Sequence, residues 1–179
     1  LSKYILRKVP YDFEYADIQA GIGTPHAVYA EFTADETLLV RAEAQALLGH
    51  YAEALDDLNT ELAAFSREGV QLTLDDVKKF YSDDVTAYYT PEKPTPRKAF
   101  HTTFAISKDT EEPMLQCILH LRRIMTIHEG LRMQDVKRYG ITIYRRDVKS
   151  NYKITGITDT MEARDPRLAI QLPQDVITA

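Results

Sequence analysis

Tryptophan is missing from this chain altogether, and cysteine occurs once. A single thiol, Cys117, excludes an internal disulfide framework and a cysteine-rich zinc site. It stands among Met114, Leu115, Ile118 and Leu119, the setting of a buried, inert thiol. Without tryptophan, the aromatic surface of the chain is that of its eleven tyrosines and six phenylalanines. No apolar run approaches the length needed to cross a bilayer.

Signatures of bond-making chemistry are missing too. His128-Glu129 opens a zinc-protease pattern, but Arg132 stands where the second histidine ligand would be. The five histidines (His26, His50, His101, His120, His128) show no ligand spacing, so no metal is expected. Ala20-Gly21-Ile22-Gly23 lacks the third glycine of a dinucleotide loop, no loop ends in Gly-Lys-Ser/Thr, and no serine sits in a nucleophile elbow. Carboxylate doublets occur at Asp56-Asp57, Asp75-Asp76, Asp83-Asp84 and Glu111-Glu112. Neighbours in sequence point apart on a helix or strand, so these read as helix-start charges or solvated surface rather than a glycosidase pair. The expectation is a protein without cofactor that is not an enzyme.

What is present is a globular composition, with 44% apolar and 27% charged residues in 179, enough for one domain with a real core. The formal charge of −5 is unevenly spread. Residues 118–153 carry nine Lys/Arg (Arg122, Arg123, Arg132, Lys137, Arg138, Arg145, Arg146, Lys149, Lys153) against three acids. With an acidic remainder and no recognition motif, this stripe reads as a solvated or ion-paired helix face, with no nucleic-acid partner. The chain opens at Leu1 without a basic-then-apolar leader and stops just after an apolar segment, so a piece of a larger polypeptide is expected.

Along the chain, residues 1–32 combine turn formers with scattered aromatics and read as an irregular lead-in. A helical hairpin is expected over 33–66: Thr33 and Glu36 form a capping-box pattern, and Leu38, Leu39, Ala42 and Ala46 follow at helical spacing. Gly49 ends that helix, and a second from Tyr51 to Phe65 carries Ala52, Leu55, Leu58 and Leu62. So short a connection forces the two helices antiparallel. Residues 70–112 read as a loop-rich insertion with a short helix near Leu74 to Tyr81 and breaks at Pro91, Pro94 and Pro96. A long helix is expected over 113–140, densely apolar from Leu115 to Ile127, interrupted at Gly130 and stopped by Gly140. Residues 141–179 read as an irregular tail of extended pieces that wrap helices without forming a sheet.

Two features invite a functional reading. Tyr81, Tyr88 and Tyr89 fall in the loop-rich insertion and are candidate glycan contacts, because an aromatic ring covers a sugar's apolar face while a hydroxyl bonds its edge. Glu129, Arg132, Asp135 and Arg138 recur every third residue with alternating sign, the spacing of an ion-pair ladder along one helix.

Three segments in order resemble the SusD/RagB family of outer-membrane nutrient-binding lipoproteins. The first is LLVRAEAQALLGHYAEALDDLNTEL, Leu38 to Leu62, similar to the family's Arg-Ala-Glu-Ala helix and the helix after it. The second is ILHLRRIMTIHEGLRMQDVKRYG, Ile118 to Gly140, with Arg-Arg, Glu-Gly-x-Arg, Asp-x-Lys-Arg and an aromatic-Gly. The third is the run from Asp165 to Gln174, which resembles the segment closing the family's fold. Leu121 and Met125 depart from the family at positions where acids are common, and Met133 and Tyr139 where tryptophan is common. The resemblance implies a mainly α, loop-rich C-terminal region with a tetratricopeptide-like hairpin. It implies a lipoprotein on the external face of the outer membrane, anchored by a lipid outside this chain. Its partners would be a SusC-like TonB-dependent transporter and a glycan, or in some members a peptide, that it delivers. The alternative is a tetratricopeptide-type scaffold for protein partners, because the first segment also fits a generic helical hairpin.

Overall fold

A computed structural model describes residues 11–27, 30, 32–66, 69–82, 87–170 and 172–177, and the chain divides into two compact units, Leu1–Ala34 and Asp35–Ala179.

In the first unit, the period-two aromatics of Tyr11-Asp12-Phe13-Glu14-Tyr15 build a strand instead of the irregular lead-in expected there. β1 (Tyr11–Asp17) and β2 (Ile22–Ala27) form an antiparallel hairpin pairing Phe13 with Pro25 and Tyr15 with Gly23. Phe13 and Tyr15 share a face and meet edge to face at 4.8 Å. The Asp17 carboxylate accepts the amides of Gln19 and Ala20 and so shapes the turn.

The second unit is helical at its centre. Leu39, Ala42, Glu43 and Ala46 form the buried stripe of α1 (Ala34–Leu47), and Ala54, Asp57, Leu58 and Glu61 that of α2 (Tyr51–Phe65). Arg41 and Asp57, equidistant from the Gly49 corner, lock the two in a bidentate pair at 2.9 and 2.5 Å. α3 (Leu74–Phe80) starts at a capping box in which Thr73 and Asp76 exchange side-chain bonds to each other's amides. α4 (Glu111–Met125) is buried continuously from Glu112 to Leu119 and packs against α2 and α3. Its Met114, Leu115 and Ile118 have no exposure and form the middle of the core.

The helix expected over 113–140 is two helices. Thr126 returns both its amide and its hydroxyl to the Arg122 carbonyl, and His128 and Gly130 follow with φ of 70° and 80°. α5 (Arg132–Tyr139) then begins and ends at Gly140. The tail also differs from the expectation: β3 (Ile143–Val148) and β4 (Ile154–Met161) pair antiparallel in a two-stranded sheet with two register slips. Pro166–Leu168 form a short 3-10 turn, and α6 (Gln174–Ile177) follows. The fold is therefore helical with two small β-hairpins. The helical hairpin is present, and tetratricopeptide repeats are not shown.

Gly140 has φ of 60°, and a Cβ there would run into the His101 carbonyl, whose carbon lies 2.9 Å from that position. Gly49 has φ of 79°, and a Cβ there meets nothing within 4 Å. Gly140→Ala should therefore cost about 3 kcal/mol or more, left-handed strain plus collision, and Gly49→Ala about 1 kcal/mol, strain alone. Urea unfolding of the two variants checks the order.

Candidate functional site

The residues of the first two family-like segments converge on one buried guanidinium. Arg122, on the last turn of α4, gives one nitrogen to Asp135 of α5 at 2.8 Å and another to Glu43 of α1 at 2.5 Å, with the Leu39 carbonyl at 3.3 Å. The other Glu43 oxygen receives the Tyr139 hydroxyl at 2.6 Å and Arg138 at 2.9 Å, while Arg132 reaches the second oxygen of Asp135 at 3.2 Å. Burial by itself would raise the Glu43 carboxyl. Arg122 and the Tyr139 hydrogen bond, with Arg138, more than offset that, and the carboxyl lies below its ordinary value. Burial and the Glu43 carboxylate both push the Tyr139 phenol upward. The expected ladder along one helix is thus mostly a cross-helix network: Arg132 and Asp135 pair locally, but Arg138 turns to α1.

The carboxylate doublets divide in the same way. Asp57 and Glu112 are buried rather than solvated, because each neutralises an arginine: Arg41 for Asp57 and Arg97, at 3.3 Å, for Glu112. Asp76 caps α3 as expected of a helix-start charge, and Asp83-Asp84 lie outside the described residues.

Beside this network lies a cleft of about 590 Å³, bounded by residues 89–98, α4, α5 and the start of β3. Gln116 of α4 clamps the backbone of Lys98, accepting its amide at 2.9 Å and donating to its carbonyl at 2.5 Å. The Lys98 ammonium bonds the Thr95 carbonyl at 2.6 Å and lies 3.5 Å from the centre of the Tyr89 ring. From β3, Arg146 donates to the Tyr89 hydroxyl and to the Thr90 and Pro91 carbonyls at 2.5–2.8 Å, which ties the loop to the sheet. Arg123 and Arg132 add two further cations to the lining, and no carboxylate lines the cleft among the described residues. Burial first, then Arg123, Arg132 and Arg146, brings the Lys98 ammonium down to about 7. Burial, then Arg123, Lys98 and Arg132, also lowers His120.

The three candidate tyrosines are not gathered into one platform. Tyr81 is 5% exposed, its hydroxyl 2.8 Å from Nδ1 of His120, at the edge of a separate apolar groove with Leu72, Leu121 and Ile124. The end of α3, packed on α4, buries it and leaves little of its ring open to solvent. Tyr88 bonds Glu112 at 2.6 Å and carries Arg97 over its ring at 3.6 Å. Tyr89 lines the cleft, but Lys98 and Arg146 lie against its ring, so it serves to hold cations rather than to stack freely on a sugar. Sequence reasoning missed Lys98 and Gln116, whose roles arise from packing 18 residues apart. Cys117 is buried, and burial pushes its thiol up to about 12, as an inert thiol requires. Among the described residues, no group of three or more His, Cys, Asp or Glu is placed to hold a metal ion.

No protein-family model matches the chain, and neither does any curated protein or solved structure.

Glu43→Ala should cost about 3–5 kcal/mol, because it strands Arg122 in the interior, whereas Arg138→Ala, half-exposed at 53%, should cost about 1 kcal/mol or less. The Glu43 carboxyl lies below its unfolded value, so its contribution is complete above that value and is lost as pH falls through the folded one. Denaturation midpoints taken from neutral to acid pH should therefore fall more steeply for the native protein than for Glu43→Ala.

Proposed function

We propose that this chain is the C-terminal part of a SusD/RagB-like lipoprotein that captures a glycan at the cell surface and delivers it to a TonB-dependent transporter. The observation that carries the reading is the convergence of the family-like segments. Glu43 of the first and Arg122, Asp135, Arg138 and Tyr139 of the second, far apart in sequence, form one buried network. A pattern whose members meet in space has a physical reason to be a pattern, which chance similarity of separate helices does not supply. Capture calls for a ligand-sized cleft with a few directed polar groups. The cleft beside the network has that form: Lys98 is held through its backbone by Gln116 and through its ammonium by Thr95, Arg146 by the 89–91 loop and Arg132 by Asp135.

A tetratricopeptide scaffold would need the α1–α2 hairpin to recur along the chain. After α2 come a seven-residue helix, a proline-broken loop and two helices of unequal length, which favours the first reading.

Calorimetric titration of the intact protein with oligosaccharides should give saturable binding. Arg146→Ala, which frees the 89–91 loop, should weaken it about tenfold or more, about 1.4 kcal/mol. Tyr81→Phe, whose ring lines the separate apolar groove, should leave it unchanged. A lipid on the intact protein's N-terminal cysteine, read by mass spectrometry, and co-purification with a TonB-dependent transporter are the matching cellular results. Hydrolysis of the glycan, or a cytosolic protein without lipid, would overturn the reading.

A further inference from the structure

We propose that the cleft bounded by residues 89–98, α4, α5 and β3 binds an oxyanion carried by the glycan, either a uronate carboxylate or a sulfate ester. The inference rests on the glycan reading above and specifies the class of glycan.

Four cations, Lys98, Arg123, Arg132 and Arg146, come from four separate parts of the chain to line one cleft. Their compensation is the informative point. Arg132 shares Asp135 with Arg122, so one carboxylate serves two guanidinium groups there. Among the described residues, Arg146 and Lys98 bond neutral oxygens alone, three from the 89–91 loop and one from Thr95. Arg123 is half-buried and makes neither hydrogen bond nor ion pair among the described residues, whereas its neighbour Arg122 holds two carboxylates. Like charges gathered in a partly desolvated cleft repel one another, and an incoming anion relieves that repulsion. Guanidinium forks match the planar pair of oxygens on a carboxylate or two oxygens of a sulfate. A neutral sugar would leave the cations facing one another, so the site discriminates against it.

Lys98 supplies an independent readout. The groups facing it are Arg123 and the titratable His120 from α4, Arg132 from α5, Arg146 from β3, the Tyr89 ring, and neutral Gln116 and Thr95. Its ammonium titrates near neutrality, and a bound anion raises it again. Binding is therefore accompanied by proton uptake, and affinity increases as pH falls through about 7.

The test is calorimetry on the intact protein with four probes: an oligouronide, its carboxyl-reduced counterpart, a sulfated oligosaccharide and a poly-aspartate peptide. We expect one of the two acidic saccharides to bind at least about tenfold more tightly than the reduced one, more tightly at about pH 6 than at about pH 8, and less tightly as salt screens the cleft. Whichever acidic saccharide binds tighter identifies the oxyanion. Arg123→Gln should weaken that binding about tenfold without altering the circular dichroism, Arg123→Lys should fall between, and Lys149→Gln, an exposed cation on the β3–β4 turn, should have no effect. Equal affinity for charged and reduced oligosaccharides, or an unaffected Arg123→Gln, would overturn the oxyanion site and leave glycan capture standing. Failure of every saccharide to bind would overturn both, and equal binding of the peptide would overturn the glycan reading on which the proposal rests.

Discussion

A guanidinium taken out of water costs several kcal/mol, and Arg122 is 9% exposed in its side chain, so the helices that compensate it are held to fixed positions. Glu43 must come from α1 and Asp135 from α5, each with an oxygen within 2.8 Å. Those two acids need further donors to fill their remaining lone pairs, and Tyr139, Arg138 and Arg132 provide them. Once α5 is fixed in this way, its left-handed stop at Gly140 fixes the 98–101 segment as well. His101 donates its amide to the Tyr139 carbonyl at 2.8 Å, and its ring lies 2.9 Å from the Gly140 carbonyl. The buried charge thus determines where the wall of the cleft lies.

The same helix presents adjacent arginines to opposite fates. Successive residues on a helix point about 100° apart, so when Arg122 faces α1 and α5, Arg123 must turn toward the 89–98 segment. One is paired with two carboxylates, and the other makes no ion pair among the described residues. α5 repeats the division, with Arg132 lining the cleft and Asp135 directed inward. The basic stretch of the chain is therefore not one patch. It contains a compensated part that holds helices together and an uncompensated part that opens onto solvent.

This division explains what the sequence could and could not convey. α1 and α2 are legible because their apolar stripes repeat at helical period and Gly49 separates them. The acids within those stripes carry a readable signal: Glu43, Asp57 and Glu61 occupy core-phase positions, and a charge in that phase needs a partner. Which partner it finds depends on tertiary packing, so local spacing assigns Arg138 to a ladder it does not join. β2 and β4 are hard to read because their residues are at least partly exposed on both faces, which weakens the inside-outside alternation that marks a strand. Lys98 and Gln116 carry no sequence signal at all, since a lysine in a proline-rich loop and a glutamine in an apolar helix are unremarkable until the backbone of one meets the amide of the other.

Tyrosine illustrates how the chemistry of a site shifts once neighbours are known. In isolation Tyr88 and Tyr89 offer flat rings suited to a sugar face, but each ring carries a cation within 3.6 Å of its centre, and each hydroxyl accepts from an arginine. An aromatic face under a guanidinium or ammonium stabilises that charge while leaving its outer hydrogen-bond donors available. Tyr88 does this where Glu112 already neutralises the arginine, so that assembly is closed. Tyr89 does it where no carboxylate lines the wall, and the positive charge it supports remains directed at the cleft. The rings are alike in sequence, and the presence or absence of one buried acid separates a structural brace from a site that can receive a ligand.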